Sequence, residues 1–218
     1  MNMNMNMKDI SSEELRKMIS SLKAQGITNT SVLDIMSTIQ RHAFMEPALR
    51  SRAYDFDALP IGFNQTISSP YIVAKMTQLL IETDSMKNVL EIGTGCGYQA
   101  CILSKLFERV TTMERIEPLY LKTKALLKSL NYKNISLIYG DGFDGYKLNG
   151  PYDAIIMTAS PSIIPDKLIS QLKPNGRMVL PLNVNGSQKL YRVKNTKKGI
   201  FKKEVDDVLF VPMLQGII

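Results

Sequence analysis

The sequence has very little of the side-chain chemistry that metal centres and disulfide frameworks need. Its 218 residues include two cysteines, one histidine and no tryptophan. A structural zinc site of the Cys/His kind needs four such ligands, so it cannot be assembled here, and we predict no metal. The single histidine, His42, has no Ser or Cys motif beside it. We therefore interpret it as a surface or packing residue rather than a catalytic base.

Long apolar runs are also missing. No stretch is long enough to span a bilayer, and the N-terminus lacks the basic start and apolar core of a secretory signal peptide. The Asn-Met repeat at the start is low in complexity, so we expect residues 1–10 to form a disordered tail. Cys96 and Cys101 lie close together in the sequence, where a bridge would distort the local backbone. We expect a reduced, monomeric protein of the cytoplasm that makes no membrane contact.

Negative charge is in the minority. The chain has 27 Lys and Arg against 20 Asp and Glu, a formal net charge of +7, and this raises the question of a nucleic-acid partner. The positive residues are scattered, however, and no aromatic residues interleave with them as they would in a stacking platform. We favour a solvated basic face and predict no nucleic-acid partner.

What the chain does have is a glycine-rich loop between a strand and a helix. Residues 89–92 are an apolar run of strand type, and glycines follow at positions 93, 95 and 97. From Ala100 onward, apolar residues recur at helical spacing. Glycines let such a loop adopt positive φ and let a ligand lie against bare backbone, while the following helix offers unpaired N–H groups. This arrangement is typical of a nucleotide-binding unit.

The spacing of the glycines narrows the class of ligand. A dinucleotide fingerprint needs Gly or Ala at position 98, where Tyr98 stands. The pattern E-x-G-x-G-x-G, which starts at Glu91, is instead typical of methyltransferases that use S-adenosylmethionine. Glu114 ends the next apolar run about twenty residues on, where an acid can bind ribose hydroxyls. A structural turn beside a surface Glu is the weaker interpretation, because two independent features agree in order and spacing.

The remaining pattern predicts an α/β fold of the Rossmann-like type. We expect a mostly parallel, doubly wound sheet with an antiparallel edge hairpin and an N-terminal helical layer. Predicted helices are 11–24, 31–40 and 118–130; predicted strands are 135–139, 152–158 and 177–181; the hairpin is 189–193 with 205–211. One domain, 11–218, would comprise a helical and loop region (11–68), a cofactor-binding core (69–184) and a C-terminal hairpin (185–218).

Between the N-terminal helices and the glycine strand lies a segment, residues 54–71, whose Pro, Gly, Asn and Ser content predicts a loop. Pro70 suits the first turn of a helix, which makes Ser69 the expected N-cap. On the residues alone, Thr66 and Ser68 are capping or turn residues.

Nearly the whole chain, from about residue 19 onward, resembles the protein-L-isoaspartate O-methyltransferase family. The Gln-Thr-Ile-Ser motif is its most specific part, and Gln40-Arg41 replaces a more usual Pro-Arg. The matching segments are Leu59-Pro60-Ile61-Gly62, Gln65-Thr66-Ile67-Ser68, Pro70-Tyr71, Leu90 to Tyr98, Glu114-Arg115-Ile116, Gly140-Asp141-Gly142, residues 151–156, residues 172–177, Leu180-Pro181 and Phe210-Val211-Pro212-Met213.

The resemblance implies methyl transfer from S-adenosyl-L-methionine, leaving S-adenosyl-L-homocysteine, to the α-carboxylate of L-isoaspartyl residues in damaged peptides and proteins. The methyl ester would then reform a succinimide, which can open to normal Asp. A carboxylate with a pKa near ~4 is ionised at neutral pH, so this chemistry needs no general base.

The resemblance also implies roles for individual residues. Ser68 would orient the substrate carboxylate. The walls for the peptide would be Leu59, Pro60, Ile61, Gly62, Val211 and Pro212. The implied cofactor contacts are Gln65, Thr66, Ser68, Glu91, Gly93, Gly95, Gly97, Glu114, Asp141 and Gly142.

Two other classes of protein compete with this interpretation. A nucleic-acid methyltransferase would use the same cofactor and tolerate a basic surface, but enzymes that methylate base amino groups usually carry an Asn/Asp-Pro-Pro-aromatic run where Ser160-Pro161-Ser162-Ile163 stands. A noncatalytic binding module would have no need for both an intact glycine loop and Glu114.

Overall fold

The computed structural model describes residues 4–81 and 87–218, with side chains from residue 12 onward. The α-helices are α1 (Asn4–Ala24), α2 (Thr30–Thr38), α3 (Pro70–Leu80), α4 (Tyr98–Leu103), α5 (Glu117–Ser129) and α6 (Asp166–Ile169). The strands are β1 (Leu59–Gly62), β2 (Gln65–Ile67), β3 (Asn88–Ile92), β4 (Arg109–Glu114), β5 (Ile135–Tyr139), β6 (Tyr152–Met157), β7 (Leu172–Val184), β8 (Ser187–Thr196) and β9 (Gly199–Asp207). Short 3₁₀ helices cover Arg41–Phe44, Pro47–Arg52 and Lys147–Asn149.

One seven-stranded sheet forms the centre of the molecule, in the order β5-β4-β3-β6-β7-β8-β9. The pairs from β5 to β7 are parallel, and β7–β8 and β8–β9 are antiparallel. Helices pack on both faces, and β6 is almost completely buried. The predicted α/β fold, with a mostly parallel sheet and an antiparallel edge, is confirmed.

The order in which strands join the sheet reverses at β3. Strands β4 and β5 lie on one side of β3, and strands β6 and β7, which come later in the sequence, lie on its other side. In an open parallel sheet, such a reversal leaves a crevice at the carboxyl ends of the two central strands. The ends of β3 and β6 are joined there, because the backbone N–H of Thr158 donates to the Ile92 carbonyl at 2.9 Å.

The N-terminal helices form a layer over the glycine-loop helix. Apolar residues of α1 and α2, such as Leu22 and Met36, share one buried cluster with Tyr98 and Ile102 of α4. A fully buried arginine, Arg41, belongs to the same layer. Its Nε donates to the Ala53 carbonyl at 2.7 Å, and its guanidinium lies 5.1 Å from the centre of the Tyr98 ring. None of the helices in the described part of the chain is long and apolar enough to cross a membrane.

The N-terminus differs from the prediction. Helix α1 begins at Asn4, so it includes most of the segment predicted as a disordered tail; residues 1–3 lie outside the described residues. No glycine or proline precedes Gly26 to interrupt a helix, and Met and Lys are good helix formers. Disorder was predicted from the low complexity of the repeat alone, without regard to the helix propensity of its residues.

Two further predictions need correction, one of a loop and one of a strand. The segment predicted as a loop contains the β1–β2 hairpin, in which Leu59 pairs with Ile67. Its two turn residues, Phe63 and Asn64, both have positive φ, 54° and 55°, as in a type I′ turn, which Phe rarely occupies. The last strand was expected at 205–211 but lies at Gly199–Asp207, directly after the turn that joins it to β8.

Candidate active site

A cleft of about 300 Å³ lies at the carboxyl edge of β3, β4 and β6. The residues that line it come from many parts of the chain, and they include residues of the glycine loop and of the Gln-Thr-Ile-Ser motif. The lining includes Phe56, Asp57, Ala58, Gln65, Thr66, Ser68, Glu91, Gly93, Gly95, Met113, Glu114, Gly142, Thr158, Val211 and Pro212.

The glycine loop is held in shape by the end of β4. The backbone N–H groups of Gly93 and Thr94 both donate to the Met113 carbonyl, at 2.9 and 3.0 Å. Gly93 has a φ of +94°, and a Cβ added there would lie 2.4 Å from the Thr158 Oγ1. Any side chain at position 93 would therefore be strained and would also collide with Thr158, the residue after β6, so the loop presents bare backbone to the cleft.

Gly97 does not line the cleft, although it was predicted as a cofactor contact. It has a φ of +86°, and a Cβ there would lie 3.0 Å from the Thr123 Cγ2 of helix α5. Thr123 also donates its hydroxyl to the Gly95 carbonyl at 2.6 Å. The third glycine thus lets α5 approach the back of the loop, and its task is packing.

Glu114 ends β4 and accepts three backbone hydrogen bonds. Oε2 accepts from the Gly95 N–H at 2.9 Å, and Oε1 accepts from Arg115 N–H at 2.9 Å and Ile116 N–H at 3.0 Å. Burial raises the pKa of this carboxyl, and the three N–H donors oppose that shift. The side chain therefore joins β4 to the glycine loop while it borders the cleft.

Glu91 is a second buried carboxyl beside the same loop. It is completely buried, and Oε2 accepts from the Thr112 hydroxyl at 2.5 Å. The Thr112 and Thr94 hydroxyls are 2.7 Å apart. Oε1 has no hydrogen-bond partner among the described residues. A buried acid with one unmatched oxygen next to a cleft is suited to a cationic ligand group.

Ser68 and Ser69 have different surroundings. The Ser69 Oγ accepts from the Ile72 N–H at 3.3 Å, which confirms the predicted N-cap of α3. The Ser68 side chain lines the cleft and makes no hydrogen bond with the other described residues. Its hydroxyl is therefore available to a ligand.

The chain after β9 forms another wall of the cleft, which we call the C-terminal wall, residues 209–214. Ser160 holds its inner edge: the Ser160 N–H donates to the Val211 carbonyl at 2.9 Å, and the Met213 N–H donates to the Ser160 carbonyl at 2.9 Å. The structure thus brings Val211 and Pro212 to the cleft.

Residues Leu59–Gly62 do not line the cleft, although they were predicted as substrate walls. Their burial alternates along β1, so Leu59 and Ile61 point into the core. Ile61 supports the glycine loop, since its Cδ1 would lie 3.2 Å from a Cβ at Gly95. The cleft is bordered instead by the segment just before the strand, Phe56 to Ala58.

Asp141 is also absent from the cleft lining, although Gly142 is present. One Asp141 oxygen accepts from the Phe143 N–H at 2.8 Å, and the other accepts from the Gly216 N–H at 2.6 Å. Both carboxylate oxygens are engaged with backbone, which gives Asp141 the task of shaping its turn and fastening the C-terminal segment.

Several lining residues were not among the predicted site residues. Thr158 is one of them, although the sequence places it after an apolar strand, at the edge where ligands bind in α/β sheets. Nothing in the sequence around Met113 or Phe56 indicates that these residues line a ligand site. No group of three or more His, Cys, Asp or Glu side chains suited to a metal ion occurs within the described ranges.

Comparison with known proteins gives consistent results. The family model for protein-L-isoaspartate(D-aspartate) O-methyltransferase matches residues 13–217. The protein-L-isoaspartate O-methyltransferase of Pseudomonas paraeruginosa is 43% identical over 200 residues, 92% of this chain and 95% of that protein. The enzyme of the same name from Pseudoalteromonas atlantica is 43% identical over 208 residues, 95% of this chain and 98% of that protein.

Two solved structures share the fold. One, a protein-L-isoaspartate O-methyltransferase, has a TM-score of 0.83 at 24% identity. The likeness covers 93% of this chain and 67% of the chain in that structure. The other, a putative enzyme of the same kind from Plasmodium falciparum in complex with S-adenosyl-L-homocysteine, has a TM-score of 0.80 at 25% identity. That likeness covers 91% of this chain and 97% of the Plasmodium chain.

The burial of Glu91 leads to a prediction about pH. Burial raises the pKa of Glu91 to about 8 from an ordinary value of 4.5. The unfolded chain therefore releases this proton at a lower pH than the folded protein, and the folded state loses stability as the pH rises from about 4.5 to about 8.

Glu91→Gln removes this titration while it keeps an acceptor for Thr112. The variant's free energy of unfolding, relative to the wild type, should increase by roughly 2–4 kcal/mol between pH 5 and pH 8. Urea unfolding at both pH values measures the change. A difference between the two proteins that does not vary with pH would contradict the raised pKa.

Proposed function

The chain belongs to the protein-L-isoaspartate(D-aspartate) O-methyltransferase family, and we propose that the cleft beside β3 and β6 is where this family's reaction takes place. The enzymes of this family transfer a methyl group from S-adenosylmethionine to isoaspartyl residues. One observation carries the assignment to this cleft: the Glu114-fastened glycine loop and the unbonded Ser68 hydroxyl line the same cavity.

The residues of the cleft suit S-adenosylmethionine, which has an ammonium group, a carboxylate, a ribose and an adenine ring. The bare backbone at Gly93 and Gly95 suits the methionine part, and the unmatched oxygen of Glu91 suits a nearby cation. Glu114 would hold the ribose hydroxyls, and Gly142 would border the adenine. Gln65 and Thr66 would close over the methyl end.

When bound, the cofactor supplies an electrophilic methyl group on a positively charged sulfur. The nucleophile is the substrate α-carboxylate, which is ionised at neutral pH, so no side chain has to remove a proton. The protein's contribution is then to hold the carboxylate in line. Orientation of this kind can contribute several kcal/mol, at most about 7–11. We assign it to Ser68, which lines the cleft and whose hydroxyl makes no hydrogen bond with the other described residues.

The peptide would lie between two walls of the cleft. The C-terminal wall offers Val211 and Pro212, and the facing side is the segment from Phe56 to Ala58. We expect isoaspartyl peptides and proteins as the substrates, a monomeric enzyme, and no part for a metal or for nucleic acid.

The activity is tested by incubating the protein with labelled S-adenosylmethionine and three acceptors: an isoaspartyl peptide, its normal aspartyl counterpart and RNA. Label should appear in the isoaspartyl peptide only, as a base-labile methyl ester. Methylation of RNA, or equal labelling of the two peptides, would contradict the proposed substrate.

Glu114→Ala tests the ribose contact. Loss of a hydrogen bond to a charged group should weaken binding of S-adenosylhomocysteine by about 1–3 kcal/mol. Three backbone N–H groups also lose their acceptor, so the free energy of unfolding should fall by a similar ~1–3 kcal/mol. Calorimetry and urea unfolding measure the two effects. Glu108→Ala, at an exposed ion pair, is the control, and unchanged affinity in Glu114→Ala would remove Glu114 from the ribose site.

Ser68→Ala tests the orienting hydroxyl. The single-turnover rate of methylation should fall by about 10–100-fold, because positioning of the nucleophile is lost. The melting temperature and the affinity for S-adenosylhomocysteine should stay near the wild-type values, since this hydroxyl bonds to no other described residue.

Ser69→Ala is the matched control. It removes the N-cap of α3 and should lower the free energy of unfolding by about 0.5–2 kcal/mol, with the rate per folded molecule preserved. A Ser68→Ala protein that is destabilised but fully active would exclude Ser68 as the orienting residue.

A further inference from the structure

The C-terminal wall is held along both edges, although it belongs to no strand. In an extended segment, successive residues direct their backbone N–H and C=O groups to opposite sides. Ser160 bonds to residues 211 and 213 on the inner side. On the outer side, the backbone of Phe210 bonds to the side chain of Gln188, the second residue of β8.

The Gln188 amide pairs with the Phe210 backbone as a neighbouring strand would. The Phe210 N–H donates to Gln188 Oε1 at 2.7 Å, and Gln188 Nε2 donates to the Phe210 carbonyl at 3.0 Å. The Gln188 backbone carbonyl accepts from the Val208 N–H at 3.1 Å. β9 has already ended at Asp207, so at residue 210 the Gln188 side chain takes the place of backbone pairing.

The location of this contact links it to the cleft. Phe210, Val211 and Pro212 are consecutive, and all three line the cavity, whereas Gln188 does not. Phe210 packs partly against an apolar cluster on one face of the sheet, but apolar packing is not directional. The two hydrogen bonds are directional and fix how the peptide planes on either side of Phe210 are turned.

We propose that Gln188 is a positioning residue for peptide binding, which acts by holding Phe210 and therefore Val211 and Pro212 in the orientation that the substrate meets. This inference rests on the proposed function of the C-terminal wall. Gln188 touches neither the cofactor cleft nor the reacting atoms, so its loss should change peptide binding and leave the chemical step intact.

Two variants separate the parts of this contact. Gln188→Glu keeps the length and the acceptor for the Phe210 N–H, but it places a carboxylate oxygen against the Phe210 carbonyl. Gln188→Met keeps a similar volume and removes both hydrogen bonds. Ser187→Ala, at the exposed neighbouring position, is the control.

The expected result is a rise of about tenfold in the KM for an isoaspartyl peptide in both Gln188 variants, the scale of one or two lost hydrogen bonds. The kcat and the Kd for S-adenosylhomocysteine should stay within about twofold of the wild type. Hydrogen exchange at the Phe210 amide should become about tenfold faster. Ser187→Ala should change none of these quantities.

An unchanged KM in both variants would overturn the proposal, and so would a lower melting temperature with kcat reduced and KM unchanged, which is the pattern of a purely structural role. If the wild-type protein methylated no isoaspartyl peptide, the proposed function itself would fail. Exchange at the Phe210 amide would still decide whether Gln188 holds the wall.

Discussion

The conformation of the glycine loop depends on backbone acceptors at the end of one strand. The Met113 carbonyl and the Glu114 carboxylate together receive the N–H groups of residues 93, 94 and 95. With these donors satisfied inside the protein, the loop can expose bare backbone without leaving unpaired polar groups in a buried crevice. The order of the strands, with β4 beside β3, places these acceptors within reach, so the local geometry of the site depends on the topology of the whole sheet.

Two buried carboxyl groups beside this loop have different surroundings. Glu114 is surrounded by three N–H donors, whereas Glu91 has a single hydroxyl donor and one unmatched oxygen. The first accepts three backbone hydrogen bonds and joins β4 to the glycine loop. The second keeps one oxygen without a hydrogen-bond partner among the described residues.

The parts of the site that could be predicted from the sequence are those set by local backbone chemistry. Gly93, Glu114 and the Ser69 cap follow from spacing and from the needs of turns and helix ends. The burial of Leu59 and Ile61 in the core could not be predicted, because the side to which a strand residue points depends on how the hairpin packs, which no local pattern reveals. The bond from Gly216 to Asp141 could not be predicted, because the two residues are far apart in the sequence. Gln188 carries no local signal, since a glutamine at the start of a strand is ordinarily a surface residue.

The lining of the cleft also has a consequence for how the protein is made. Its walls run in the sequence from Phe56 to Leu214, near the end of the described residues, so a growing polypeptide has no complete ligand site until Leu214 has been synthesised. Ligands stabilise a protein only through the folded form that binds them. The cofactor therefore cannot assist the early, cotranslational steps of folding. The parallel sheet and the N-terminal layer must therefore become stable through their own packing before ligand binding can increase the stability of the protein.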